Sequence, residues 1–140
     1  MSKQSALRLF IDTDILMDVA LDRKGFSSHS GAILDGIQQG AHYGYMAWHS
    51  ISNLYYLLRP KMGRGTTIQL IDDLTNFIEV APTNNTLVKV AISLKMPDFE
   101  DALQTACAIS CKADYLVTRN ISHYKKSPVR VVSPKEFVGG

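Results

Sequence analysis

Three groups of polar residues in this chain stand where they can share one piece of chemistry. The stretch FIDTD sets Asp12 and Asp14 directly behind the apolar run Leu9–Ile11. An ionised carboxylate at the end of a buried strand is partly desolvated, and it is costly unless something opposes its charge. The stretch PDFEDALQ sets Asp98 and Asp101 three apart at the start of a helical pattern, so both lie on one face, with Glu100 expected to point elsewhere on the same turn. In LVTRN, Thr118 and Asn120 follow another apolar run. Mg²⁺ or Mn²⁺ would oppose the acids well. Such ions take oxygen ligands, keep several waters and often use one or two direct carboxylates, here Asp12 and Asp101 with Asp98 nearby. A hard cation held this way activates water and stabilises charge developing on a phosphoryl group, which makes a phosphodiester the natural substrate class. The plainer explanation of Asp98 is an N-cap behind Pro97, with Glu100 and Asp101 meeting the positive end of the helix dipole.

Those positions matter only if the elements bring them together. Ala6 to Ile11 suits a strand buried on both faces, followed by a helix over Asp14 to Leu21. Ser27 and Ser28 offer an N-cap for a helix with Ile33, Leu34 and Ile37 at helical spacing, closed by Gly40. Tyr43 to Trp48 reads as a strand, His49 to Leu58 as a helix that Pro60 stops, and Thr66 to Phe77 as another helix. Phe77 to Val80 gives a strand, Thr83 to Leu94 a helix, and Asp98 to Lys112 the longest helical signal. Tyr115 to Val117 and Val129 to Val132 complete the strands. Alternation over the full length predicts an α/β sandwich with a mostly parallel sheet, whose ligands bind beyond the carboxyl ends of the strands. With no repeat, linker or low-complexity tract, residues 1–140 are expected to form a single domain.

Composition sets bounds without naming a partner. The chain has 140 residues, 46% hydrophobic and 20% charged, enough for one core without a metal clip or disulfide. A net charge of +2 is too small to advertise a polyanion, so any nucleic-acid contact must come from local placement of Arg and Lys. Cys107 and Cys111, four apart on a helical stretch, read as core residues of a reducing compartment, and no histidine has a convincing ligand spacing. Met1 to Gln4 lead into the first strand without the charged and apolar regions of an export signal, and no apolar run approaches about 20 residues. A cytoplasmic protein with no membrane association is expected.

Taken together, FIDTDILMDV, DFEDALQTACA and VTRN, in that order and at these separations, resemble the motifs of the PIN-domain family. These are metal-dependent ribonuclease-like domains that include the toxin halves of many bacterial toxin–antitoxin pairs. The resemblance runs from about Leu9 to Phe137. It implies a PIN-like three-layer α/β/α sandwich and a Mg²⁺- or Mn²⁺-dependent endoribonuclease. It places Asp12, Asp101 and Asn120 in the first, third and fourth acid positions. Asp14 stands where Asn is usual, Asn53 where a Glu is usual, and His123 where a further acid often follows. Each of the last two keeps a polar side chain and removes a charge, so the resemblance implies weaker metal binding and reduced activity, partly compensated by Asp98 and Asp14. It further implies RNA as substrate and a small antitoxin partner that places an Arg against the acids. The alternative is a catalytically weakened RNA- or protein-binding module. Less favoured is a haloacid-dehalogenase-like phosphatase, whose Asp-x-Asp the sequence DTD mimics but whose following Gly-Thr is replaced by Ile15 and Leu16.

The remaining polar and aromatic residues have plainer expectations. Tyr43, Tyr45 and Trp48 at a strand end, and Tyr55 and Tyr56 on a helix, are expected to pack. Arg59, Lys61 and Arg64 read as a solvated turn, as do Lys125, Lys126 and Arg130, although one group should line the path of any bound RNA. His123 reads as a surface residue with a proton-shuttle role as its alternative. Leu54 to Leu58 would suit a homodimer face, with internal packing as the default.

Overall fold

A computed structural model describes residues 6–139. The expectation of no export signal at Met1 to Gln4 lies outside the described residues. Five strands, β1 (Arg8–Ile11), β2 (Tyr43–Met46), β3 (Ile78–Val80), β4 (Tyr115–Val117) and β5 (Val131–Val132), form one sheet in the order β3-β2-β1-β4-β5. Every neighbouring pair is parallel. Parallel strands cannot be joined by hairpins, so helices carry the chain across the faces. These are α1 (Thr13–Ala20), α2 (Ser27–Gln38), α3 (Trp48–Met62), α4 (Arg64–Leu74), α5 (Asn85–Ser93), α6 (Phe99–Ser110) and α7 (Pro134–Gly139), with a short 3₁₀ turn at Ile121–Tyr124.

Alternation along the central strand sorts the molecule into layers. Leu9 and Ile11 pack with Ile15, Leu16, Ile33, Leu34, Ile37, Leu54 and Leu58, which puts α1 to α4 on one face. Phe10 and Leu116 pack with Ala91, Ala102, Ala106 and Cys107, which puts α5 and α6 on the other. The result is the expected three-layer α/β/α sandwich. Small residues on α6 let it approach the sheet closely, and Cys107 and Cys111 are buried, unpaired thiols within that layer. Gly44 serves the opposite layer. A Cβ there would come within 2.8 Å of two Ile37 carbons, so β2 lies against α2 only because this residue has none.

Several boundaries depart from expectation. The 43–48 strand ends at Met46, and Trp48 opens α3 instead, 66% exposed. Tyr43 and Tyr56 are exposed too, and only Tyr45 of the strand-end aromatics is in the core. Pro60 does not stop α3, which runs to Met62. Proline removes one N–H and leaves the Tyr56 carbonyl without its helical partner, a cost that is small on an exposed last turn. The helix ends instead at Gly63, whose φ of 83° other residues rarely adopt. Ser27 and Ser28 lie inside α2, and Phe26 takes the cap position without a side-chain bond. The final helix α7 was not anticipated. It is six residues long, and its Phe137 meets the rings of His42 and Tyr115 edge-on. Among the described residues no helix is long and apolar enough to cross a membrane.

Candidate active site

The strand order reverses between β1 and β4. From β1 the chain moves outward through β2 and β3, then returns to β1's other side as β4 and β5. Ligands of open α/β sheets bind in the crevice at such a point, beyond the carboxyl ends of the strands. Ile11 pairs with Val117 there, and the Asp12 N–H donates to the Val117 carbonyl at 3.0 Å. Asp12 and Thr118 are therefore fixed side by side by the backbone.

Asp12 is 4% exposed, and every face of its carboxylate is in use. It caps α1, Oδ1 accepting from the Asp14 N–H at 3.2 Å and from Gln104 Nε2 at 3.2 Å. Oδ2 accepts from the Thr118 hydroxyl at 2.7 Å and lies 3.1 Å from the Tyr124 hydroxyl. A carboxylate offers about four lone-pair sites, so the set is complete. All four donors are neutral. Among the described residues no Lys, Arg or His pairs with Asp12.

Asp101 reaches the same place from the opposite layer. Its Oδ1 lies 3.2 Å from the Tyr124 hydroxyl, which thus stands between the two acids and, with one proton, donates to one of them at a time. Burial, then the neighbouring Asp98 charge, pushes the Asp101 carboxyl up to about 6. Burial and both carboxylates push the Tyr124 hydroxyl far above its ordinary range, which keeps it protonated. Asp98 caps α6, accepting from the Asp101 N–H at 3.2 Å, so the plain capping explanation holds alongside any other role.

Glu100 corrects an expectation. It does not point away from Asp98 and Asp101, because ligand oxygens of all three lie within 4.8 Å of one another. Its carboxylate also accepts from the Asn53 amide of α3. Asn53 therefore faces the acids through Glu100. His49, one turn earlier on α3, has a buried Nε2 without a hydrogen-bond partner among the described residues, and burial lowers its pKa while the Glu100 and Asp12 charges oppose that.

The other expected residues flank this centre. The Asn120 amide donates to Asp14 rather than to Asp12, while the Asn120 N–H donates to the Thr118 hydroxyl at 3.1 Å. Burial and then the Asp12 charge raise the Asp14 pKa. His123 Nδ1 is 3.8 Å from Asp101 with its ring mostly exposed, a loose pair that exists only when the ring is protonated. A cavity of about 430 Å³ opens beside Asp98 and Asp101, rimmed by His123, Lys125 and Lys126. Arg59, Lys61 and Arg64 sit at the α3–α4 corner, and Arg130 lies over the Tyr115 ring.

Gln104 and Tyr124, which link Asp12 to Asp101, are absent from the sequence-based set. Gln104 carried one usable signal, a large polar side chain inside the small-apolar run of α6, three residues after Asp101 on the same face. Tyr124 carried none, since nothing in its neighbourhood foretells a 3₁₀ turn that drives it inward.

Residues 8–122 match the PIN-domain family. A search of curated proteins gave no match. Among solved structures, the chain is similar to VapBC2 from Rickettsia felis bound to a promoter DNA fragment, with a TM-score of 0.72 at 15% identity over 91% of this chain and 98% of that one. It is similar to the DNA-bound VapBC from Salmonella typhimurium, with a TM-score of 0.69 at 11% identity over 91% and 98% of the two chains. It is also similar to VapC20 of Mycobacterium tuberculosis, described as a toxin that cleaves the sarcin-ricin loop, with a TM-score of 0.63 at 12% identity over 77% and 86%.

Proposed function

Since this chain belongs to the PIN-domain family, we propose that it is a metal-dependent endoribonuclease that hydrolyses phosphodiesters in RNA. The observation that carries this reading is the meeting of Asp12 and Asp101, two buried acids from opposite layers, at one hydroxyl, with no cationic side chain pairing with Asp12 among the described residues. The donor set is all hard oxygen, which fits Mg²⁺ or Mn²⁺ and not a thiophilic ion. Asp12 and Asp101 would hold it, with Asp98 and Glu100 near enough to add charge. Bound there, the ion supplies activation of water and stabilisation of the developing phosphoryl charge.

The chain's own groups do the rest. Thr118 and Gln104 fix the rotamer of Asp12. Asn120 holds Asp14 aside through its carboxylate, which leaves the DTD pair without the free second acid a phosphatase of the haloacid-dehalogenase type would use. Lys125 and Lys126 offer phosphate contacts at the cavity beside Asp101. RNA cleavage with Mg²⁺ or Mn²⁺ should depend on Asp12 and Asp101, and activity in the Asp12→Asn and Asp101→Asn proteins equal to that of the wild type would remove the reading.

A weakened binding module is the second reading, favoured by Asn53 and His123 standing where acids are usual. Calorimetry separates the two, because absence of heat at millimolar Mn²⁺ favours the module. The toxin–antitoxin complexes among the similar folds support an antitoxin partner that covers the acidic edge of a cytoplasmic toxin. Of the Leu54 to Leu58 stretch, Leu54 and Leu58 are buried in the core, and only the exposed Tyr56 and Leu57 are left to form a homodimer face, which sedimentation at rising concentration tests.

A further inference from the structure

While the Tyr124 hydroxyl donates to Asp12, that carboxylate has no lone pair to spare, so a ligand that takes it must displace a donor. The four donors are not equally held. The Asp14 N–H belongs to the first turn of α1 and cannot leave without undoing the cap. The Thr118 hydroxyl makes the shortest of the four bonds and accepts from the Asn120 N–H as well. Gln104 is pinned at both ends of its amide, Oε1 accepting from the Thr13 N–H at 3.4 Å. Tyr124 differs. Its single proton is shared between Asp12 and Asp101, its hydroxyl is the only one of the four donors that faces both acids, and it sits on a 3₁₀ turn of four residues instead of a strand or long helix.

We propose that the Tyr124 hydroxyl competes with a divalent cation for Asp12, so that Tyr124 is a positioning residue that sets the cation affinity of the acid pair. This rests on the metal-dependent reading above. With Tyr124 in place, the two carboxylates are held facing one another by a neutral donor and their separation is preserved. When a cation arrives, the hydroxyl gives up Asp12 while Gln104 Nε2, 3.2 Å away, still donates to its oxygen. The aromatic ring stays packed against the α6 layer in either case.

The test is Mn²⁺ titration by calorimetry of the wild type, Tyr124→Phe, Asp12→Asn and the double variant. The Phe side chain keeps the ring and removes only the competitor, so its dissociation constant should fall by about three- to tenfold, the equivalent of one net hydrogen bond. In the Asp12→Asn background the same change should give no gain. An unchanged or weaker affinity in Tyr124→Phe overturns the proposal while leaving the metal site standing, and a gain that persists without Asp12 overturns it too. Absence of heat in both the wild type and Tyr124→Phe overturns the metal-dependent reading itself and this proposal with it. A second readout needs no substitution at the hydroxyl. With fluorotyrosine incorporated, Mg²⁺ should shift the fluorine resonance of a solvent-shielded ring, and a spectrum unmoved at saturating Mg²⁺ overturns the competition.

Discussion

Two buried aspartates on neighbouring turns of chain are treated in opposite ways. Asp18, on α1, is 0% exposed and receives two guanidinium groups, Arg119 at 2.6 Å and Arg23 at 3.3 Å, with the Ser30 hydroxyl at 3.4 Å. Arg119 is itself spread over the Phe26 ring. Among the described residues, Asp12, six residues earlier, receives four neutral donors and no cation. A charge that only holds the fold together is balanced from within, because an unbalanced buried ion is costly. Asp12 has the hydrogen bonds that orient it and lacks the counter-charge, which is the arrangement expected of a group reserved for an external cation.

The contrast can be broken by four measurements, the largest effect first. Asp18→Asn leaves both arginines without their carboxylate and should cost about 3 kcal/mol or more in urea unfolding, whereas Asp12→Asn should cost about 1 kcal/mol or less. Equal losses would erase the distinction. Second, Asp12→Asn and Asp101→Asn should each lower RNA cleavage by about a hundredfold or more. Third, the Asp101 carboxyl sits at about 6 against an ordinary 3.8, so the fold favours its protonated form. The stability that form contributes in acid is lost progressively as pH rises from about 4 to about 6. The melting temperature without added cation should therefore fall from about pH 4 to about pH 6 and level off above, Asp101→Asn should flatten that fall, and Mn²⁺ should recover it above pH 6. Smallest, Lys125→Ala or Lys126→Ala should weaken RNA binding evenly across sequences and lower the salt slope by about one unit or less. Arg119, committed to Asp18, offers no such contact.

Much of the layer arrangement was legible because Leu9, Phe10 and Ile11 form an unbroken apolar run that only a two-sided parallel strand explains, and because α6 repeats small residues at helical spacing. The terminators were less legible. Pro60 is tolerated in α3 because its lost hydrogen bond falls on an exposed turn, and exposure is not written in the local sequence. Trp48 shows the same limit, since it continues the aromatic run of the strand Tyr43 to Trp48 while the structure leaves it on the surface at the head of a helix. At the candidate site, type and spacing single out Asp12, Asp101, Asp98 and Thr118, and the structure brings these four side chains to one edge of the sheet. Asn120 was found, and it serves Asp14. Gln104, Tyr124 and the inward turn of Glu100 were not found, because each is defined by a contact between layers and has no meaning along the chain.

The β1–β4 pairing has a consequence for how the protein comes into being. Asp12 meets Gln104, Thr118 and Tyr124, which lie 92, 106 and 112 residues further along the chain. A ribosome must therefore extend the chain past residue 124 before the hydroxyl that stands between the two acids is available. A fragment that ends before Asp101 carries the first acid without the second, and one that ends before Thr118 leaves the Asp12 carboxylate without its shortest hydrogen bond, so the acid pair is assembled only by contacts far apart in the sequence.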